Sequence, residues 1–269
     1  MKYFDAHCHI QFSAYDEDRA SVLARMRDAE VGGLIVGVDK ATSEAAVELV
    51  ESEAAEGHGD LIAAIGLHPN DTEEPFDAAA FDEMARGPKV RAIGECGLDY
   101  YRPDEPETVK LKQREVFEHQ IELAVKYDKP LMIHSRPSKG SQDAYHDTID
   151  LLTSKKREYG DRLKGDMHFF VGGVEEARAF ANLDFTMSYT AVITFARDYD
   201  EVIRFLPLEN LLTETDSPYV APAPNRGKRN EPTAVRNVVR AMAQIRGEDE
   251  EKVRMAVLQN AAQIFSFSL

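Results

Sequence analysis

The sequence predicts an α/β chain folded as a (β/α)8 TIM barrel, on three observations. Short runs rich in Val, Ile and Leu alternate with longer helical patterns along the whole chain, and about eight of them occur, the number such a barrel requires. The runs are continuously apolar rather than alternating, as parallel strands covered by helices are. The length of 269 residues matches the roughly 250 of an ordinary barrel.

Taken in order, the strands are expected at 2–6, 34–38, 61–65, 90–93, 131–133, 163–167, 185–187 and 211–213. Between them, 43–56 puts Ala46, Val47 and Val50 on one helical face. The segment 108–127 carries Val109, Val116, Phe117, Ile121, Ala124 and Val125 at three-and-four spacing until Lys129-Pro130 stops it. Pro232 suits the first turn of a helix over 233–245, with a stripe of Val235, Val238, Val239 and Met242. Asp249 reads as the N-cap of a last helix that buries Val253, Val257, Leu258, Ala261 and Phe265. No internal repeat, low-complexity tract or long linker interrupts this pattern, so one domain over 1–269 is expected. Two loops are rich in turn residues: 102–107, with Pro103 and Pro106, and 217–232, with four prolines and the basic residues Arg226, Lys228 and Arg229. Long loops after barrel strands carry function.

An apolar content of 43% is enough for a real core. No run approaches the roughly 20 apolar residues of a membrane span, and the N-terminus lacks a secretory pattern, so a cytoplasmic protein without membrane contact is expected. Cys8 and Cys96 are the only cysteines, which gives no disulfide framework and fits a reducing compartment. With 48 acidic against 32 basic residues the formal charge is −16. That field argues against nonspecific adhesion to polyanions, yet a metal centre with local Arg and Lys attracts phosphate at short range, because salt screens the global field beyond about 8 Å.

The chemistry-bearing residues fall at the ends of the strands. His7 and His9, two apart on a strand, leave the same face. Paired imidazoles are poor core fillers, because buried ring nitrogens need partners, but they grip a divalent metal well. The alternative is that the strand ends at Ala6 and both histidines sit in a solvated loop. His68 follows the third strand, Glu95 the fourth and Asp216 the eighth, while His134 and His168 end the fifth and sixth. Each stands where an apolar run stops, which in a parallel barrel is the C-terminal rim. Singly, His68 before Pro69 reads as a loop residue, Asp216 before Ser217-Pro218 as an Asx turn, and Glu95 between Gly94 and Gly97 as a loop carboxylate. Together they point to a metal site at that rim. Imidazoles and carboxylates without thiolates suit Zn²⁺, Mn²⁺, Ni²⁺ or Mg²⁺. His7, His9, Glu95, His134, His168 and Asp216 would be shared between two divalent ions about 3.5–4 Å apart, with Glu95 the candidate bridge. Cys8, between the two histidines, should face away from them as a small buried residue.

The series Asp5-Ala6-His7-Cys8-His9, Gly66-Leu67-His68-Pro69, Gly94-Glu95-Cys96-Gly97-Leu98-Asp99-Tyr100, His134-Ser135-Arg136, Met167-His168-Phe169-Phe170 and Glu214-Thr215-Asp216-Ser217-Pro218, with the Arg226-Gly227-Lys228 loop, resembles the TatD-type metal-dependent hydrolases of the amidohydrolase-like superfamily over nearly the whole chain. Phe169 stands where the family usually has Cys, and 136–164 matches loosely. The resemblance implies a barrel with two divalent metals and Mg²⁺-dependent 3′-to-5′ nuclease activity on DNA. By position it implies that His7, His9, Glu95 and Asp216 hold one metal, and Glu95, His134 and His168 the other.

The expected function is metal-assisted phosphodiester hydrolysis, with DNA as the nucleic-acid substrate, Glu95 and Asp216 as catalytic residues, and Asp216 orienting the attacking water or accepting its proton. His68, Arg136, Arg226, Lys228 and Arg229 are the candidate substrate contacts. No obligate protein partner is evident, and a monomer is favoured. A second reading keeps the metals and changes the bond to an ester or amide, as in D-aminoacyl-tRNA deacylation. A third is a metal-stabilised binding protein without turnover.

Overall fold

A computed structural model describes residues 1–72, 75–102 and 107–269. Eight parallel strands follow one another around the sheet in chain order: β1 Tyr3–Cys8, β2 Val31–Val36, β3 Leu61–Ile65, β4 Val90–Asp99, β5 Leu131–Arg136, β6 Gly165–His168, β7 Phe185–Tyr189 and β8 Leu211–Thr213. The last seam is made just beyond β8. Cys8 bridges Ser217, the His9 N–H donates to the Ser217 carbonyl (2.8 Å), and the Asp216 N–H donates to the His7 carbonyl (2.9 Å). The chain is a (β/α)8 barrel, closed by the same residues that carry its chemistry.

The helices among the described residues are α1 Arg19–Asp28, α2 Lys40–Ala55, α3 Ala78–Met84, α4 Glu107–Lys126, α5 Asp143–Tyr159, α6 Val174–Asn182, α7 Asp200–Phe205, α8 Val235–Arg246 and α9 Glu250–Ile264. α2 starts ahead of the expected position 43. Asp39 caps it, accepting from the Thr42 N–H at 2.7 Å, while the Thr42 hydroxyl accepts from the Asp39 N–H at 3.0 Å, a reciprocal capping box. α8 buries the expected Val235, Val238, Val239 and Met242 and ends at Gly247, whose φ of +65° is a left-handed C-cap. Asp249 caps α9 by accepting from the Lys252 N–H at 2.9 Å. α1, α3, α5, α6 and α7 fill the remaining intervals between strands, for which the sequence reading gives no bounds. The turn-rich stretch with Pro103 and Pro106 lies outside the described residues.

Two layers of core follow from this arrangement. Phe4, Ala6, Leu34, Val36, Ile62, Ala64, Ala92, Met132 and Leu212 come from alternate positions of six strands and fill the barrel interior, plugged at one end by Leu258, Ala261, Ile264 and Phe265 of the α9 region. The larger cluster packs the outer strand faces against the helices. α4 adds a polar anchor to this packing. Its buried Gln113 accepts from the Asp99 N–H (2.9 Å) and donates to the Asp99 carbonyl (3.1 Å). Gln120, two turns on, makes the same pair of bonds to Leu67 at 2.9 and 3.0 Å. One helix face therefore fixes two strand ends at the rim.

The strands also differ from expectation where they matter most. β4 continues through Asp99 instead of ending at 93, because Gly94 and Gly97 let it stay against β5. Both have positive φ (+146° and +134°), and a Cβ on them would lie 2.3 Å from the Met132 carbonyl oxygen and 2.0 Å from that of His134. β1 likewise runs on through Cys8. In each strand the register shifts inside the rim segment, between Asp5 and Cys8 in β1 and between Ile93 and Cys96 in β4. A bulge re-aims the side chains that follow it. Phe4, Ala6 and Ala92 point into the barrel, and strict alternation would send Cys8 inward and Glu95 outward. Instead Cys8 and Cys96 join the outer cluster, as expected for Cys8, and His7, His9 and Glu95 face the barrel axis.

Candidate metal centre

Glu95 is the hub of the site. It is 4% exposed, and its two oxygens face different partners. Oε2 lies 3.5 Å from His7 Nε2. Oε1 lies 2.9 Å from His134 Nδ1, 3.4 Å from His68 Nε2 and 3.8 Å from His168 Nε2. On the Oε2 side the His7 and His9 Nε2 atoms approach to 3.1 Å, and Asp216 Oδ1 lies 3.5 Å from His9 Nε2 and 4.0 Å from His7 Nε2. Nitrogens and carboxylate oxygens from five other strand ends thus gather around one carboxylate, with His168 also within ligand distance of His7 and Asp216.

The outer partners of each ring decide which nitrogen is available. His9 donates Nδ1–H to the Val36 carbonyl (2.7 Å), His168 donates Nδ1–H to Glu214 Oε2 (2.9 Å), and His134 donates Nε2–H to Asp99 Oδ2 (3.0 Å). Each therefore turns its other ring nitrogen inward, the atom that would hold a metal once the ring is neutral, in the carboxylate- or carbonyl-to-histidine arrangement of metal sites. His68 is the opposite case. Its Nδ1 accepts the Asn70 backbone N–H (3.1 Å), so the proton sits on Nε2 and points at Glu95. His68 is a donor in the site, as a substrate contact would be, whereas His7, His9, His134 and His168 are shaped as ligands.

Electrostatics separate the ligand candidates among themselves. Burial, reinforced by the charge of His168, lowers the pKa of His7 to about 4 and keeps its lone pair free. Burial opposes protonation of His168, but Glu214 overrides it and raises the pKa to about 10. Burial likewise opposes His134, and Asp99 and Glu95 raise it nonetheless. Against their own burial, the surrounding imidazoles hold Glu95 well below the usual carboxylate range and lower Asp216, while His134 brings Asp99 down to about 2. The donor set fits divalent cations: facing imidazole nitrogens 3.1 Å apart and ionised buried carboxylates need a shared positive charge between them.

Asp99 and Glu214, both within the motifs above, partner His134 and His168, a role that residue type alone does not single out. Asp99 also accepts from Asn70 Nδ2 (3.1 Å) and the Tyr101 N–H (3.0 Å). Glu214 is fully buried and takes the Phe169 N–H (2.7 Å) and the Ser188 hydroxyl (2.8 Å) as well as His168. Their signal was spacing: Asp99 lies four residues after Glu95 and Glu214 two before Asp216, each on the same rim segment.

A cavity of about 510 Å³ opens over the metal-type residues, with Arg136 on its wall. The Arg136 guanidinium lies 3.6 Å over the Tyr101 ring. The structure does not bring Arg226 or Lys228 to this cavity. Arg226 stacks 4.0 Å over Phe195, and Lys228 lines a separate depression of about 320 Å³. Arg229 is committed elsewhere, to both oxygens of Asp18 (2.7 and 2.6 Å) and the Ala14 carbonyl (2.7 Å). These bonds, with Arg25 on Glu231 (2.7 Å), tie the loop to the α1 side.

A family model described as TatD related DNase matches residues 4–266. The chain is 36% identical over 269 residues to the uncharacterized metal-dependent hydrolase YabD of Bacillus subtilis, covering 97% of this chain and 98% of that protein. It is 33% identical over 268 residues to the uncharacterized metal-dependent hydrolase YcfH of Escherichia coli K12, covering 97% and 94%. The crystal structure of YJJV, a TatD homolog from Escherichia coli K12, superposes with a TM-score of 0.86 at 27% identity over 99% of both chains.

Proposed function

The chain belongs to the TatD related DNase family of metal-dependent hydrolases, and from that premise we propose that it hydrolyses phosphodiester bonds of DNA with two divalent ions held by His7, His9, Glu95, His134, His168 and Asp216. The observation that carries the reading is Glu95, a buried carboxylate whose two oxygens each face a separate group of ligand atoms. Charge favours cations there: the surrounding imidazoles hold Glu95, Asp216 and Asp99 below the usual carboxylate range.

Bound there, two such ions supply acidification of a water and neutralisation of charge on phosphoryl oxygens. The chain does the rest. Asp216 turns Oδ1 toward His9 and His7 and keeps Oδ2 to orient the attacking water and take its proton. His68 offers Nε2–H at the Glu95 side of the cavity, and Arg136, held flat on Tyr101, offers a planar guanidinium to a phosphate. Arg226 and Lys228, outside the cavity, would meet only phosphates farther along a strand.

The test is release of nucleotides from 3′-labelled single-stranded DNA by protein stripped and reloaded with Mg²⁺, Mn²⁺ or Zn²⁺. Turnover is expected with at least one ion and should vanish in Glu95→Ala. Asp216→Asn should lose most turnover while still binding metal; full turnover in that variant removes the role given to Asp216. Absence of DNA hydrolysis with every ion, alongside tight metal binding, would refute the phosphodiester reading and favour an acyl ester.

A further inference from the structure

We propose that the mouth of the metal cavity is a base-stacking subsite, in which Phe169 and Tyr219 hold a nucleobase while the attached phosphate lies over the metal ligands. This deepens the phosphodiesterase reading and rests on it.

The first observation is composition. The floor of the 510 Å³ cavity is imidazole and carboxylate, but its walls are Phe12, Val38, Phe169, Val171, Tyr199 and Tyr219. A cavity of this size with an apolar wall and a few convergent polar groups is the usual form of a small-molecule site. The second is exposure. Large apolar side chains are few on this surface, yet Tyr219 (55% exposed) and Val171 (37%) stand at this mouth, and Tyr101 (47%) stands beside it under Arg136. Exposed apolar groups gathered at one opening mark a binding surface.

The third observation is backbone conformation. Phe169, Asp216 and Val220 have φ of +47°, +53° and +51°, a region that bulky and β-branched residues avoid. Such conformations persist where surrounding bonds hold them and concentrate at functional sites. Here the holding bonds lead to the metal centre. The Phe169 N–H donates to Glu214 Oε1 (2.7 Å), and the other oxygen of that carboxylate orients His168. The Tyr219 N–H donates to the carbonyl of Asp216 (2.9 Å). Both rings are thus set in place by the residues that orient or provide ligands.

A π face at a fixed offset from a phosphate site suits a nucleotide. Every base offers a stacking face, so aromatic platforms bind bases without demanding a sequence. Phe12 is already stacked on His9, with centroids 4.5 Å apart; of the remaining wall aromatics, Tyr219 is the most exposed and Phe169 directly follows His168, which makes these two the platform.

Equilibrium binding tests this without turnover. The Mn²⁺-loaded full chain is titrated with deoxyadenosine 5′-monophosphate and with 2-deoxyribose 5-phosphate, which differ only by the base. The parent is expected to bind the nucleotide about ten-fold more tightly or better. That ratio should fall toward one in Tyr219→Ala and in Phe169→Ala and be retained in Tyr219→Phe. Tyr219 is exposed enough that its variants should fold even if Phe169→Ala does not. Equal affinity of the parent for the two ligands, binding of neither, or an unaltered ratio in Tyr219→Ala would overturn the inference. A preserved ratio without DNA hydrolysis would sink only the phosphodiesterase reading, and hydrolysis with a ratio of one would sink only the stacking subsite.

Discussion

Around single residues, the site is built by pairs in which one group sets the tautomer of another. Asp99 does not face the ligand cluster, yet by accepting Nε2–H from His134 it presents Nδ1 to Glu95. Asp99→Asn should therefore lower metal affinity about 10- to 100-fold, read by competition with a chromogenic chelator, with little change in the far-ultraviolet spectrum. Proton linkage gives a second expectation. In metal-free protein His168 keeps its proton up to about pH 10 because Glu214 holds it, whereas an unfolded imidazole loses it near 6.5. Its contribution to stability is complete below pH 6.5 and is lost as pH rises through 10. Metal binding needs the neutral ring, so loading at pH 8 should release a proton that an ordinary histidine would already have lost. Calorimetric titrations in buffers of different ionisation enthalpy measure that release, and its absence would contradict the Glu214–His168 pairing. The ligand candidates stand out in the sequence, because histidine and carboxylate at the ends of apolar runs are chemically conspicuous. Asp99 and Glu214 do not, because their role lies in what they touch.

At the level of elements, the bulges in β1 and β4 convert an ordinary alternating pattern into an inward-facing ligand set. The sequence does not reveal these bulges, because the shift depends on how β1 and β4 pair with β2 and β5. For the same reason β4 was expected to end at 93: its continuation depends on how closely β5 approaches at Gly94 and Gly97. Helix starts follow more local rules. Asp39 and Thr42 close a capping box within four residues, and Asp39→Ala should cost about 1 kcal/mol of stability in denaturant unfolding, with metal affinity unchanged because the box lies outside the ligand set. The basic loop shows the limit of composition. Arg229 was expected to grip phosphate, and a carboxylate from a distant segment, Asp18, already occupies its guanidinium.

For the molecule as a whole, the ligands arrive from both ends of the chain, and the Asp216–His7 and His9–Ser217 bonds that close the barrel join the same residues. Metal binding and barrel closure should be coupled. An ion at 100 times its dissociation constant stabilises the folded state by about 2.7 kcal/mol per site, so chelation is expected to lower the melting temperature and Glu95→Ala to abolish the difference between loaded and stripped protein. An unchanged melting temperature on chelation would separate the site from the fold. Among the described residues no helix is long and apolar enough to cross a membrane. The sequence by itself determined the barrel, the approximate places of its eight strands and the six ligand candidates, because apolar periodicity and residue chemistry are local properties of the chain. Only the tertiary structure decided that Glu95 faces two ligand groups, that His68 donates while its neighbours accept, and that Arg226 and Lys228 stand away from the cavity. The meeting of Glu95 with His7 and His168 depends on segments far apart in the chain, which no local pattern encodes, and the His68 tautomer on the turn that brings the Asn70 N–H onto its Nδ1.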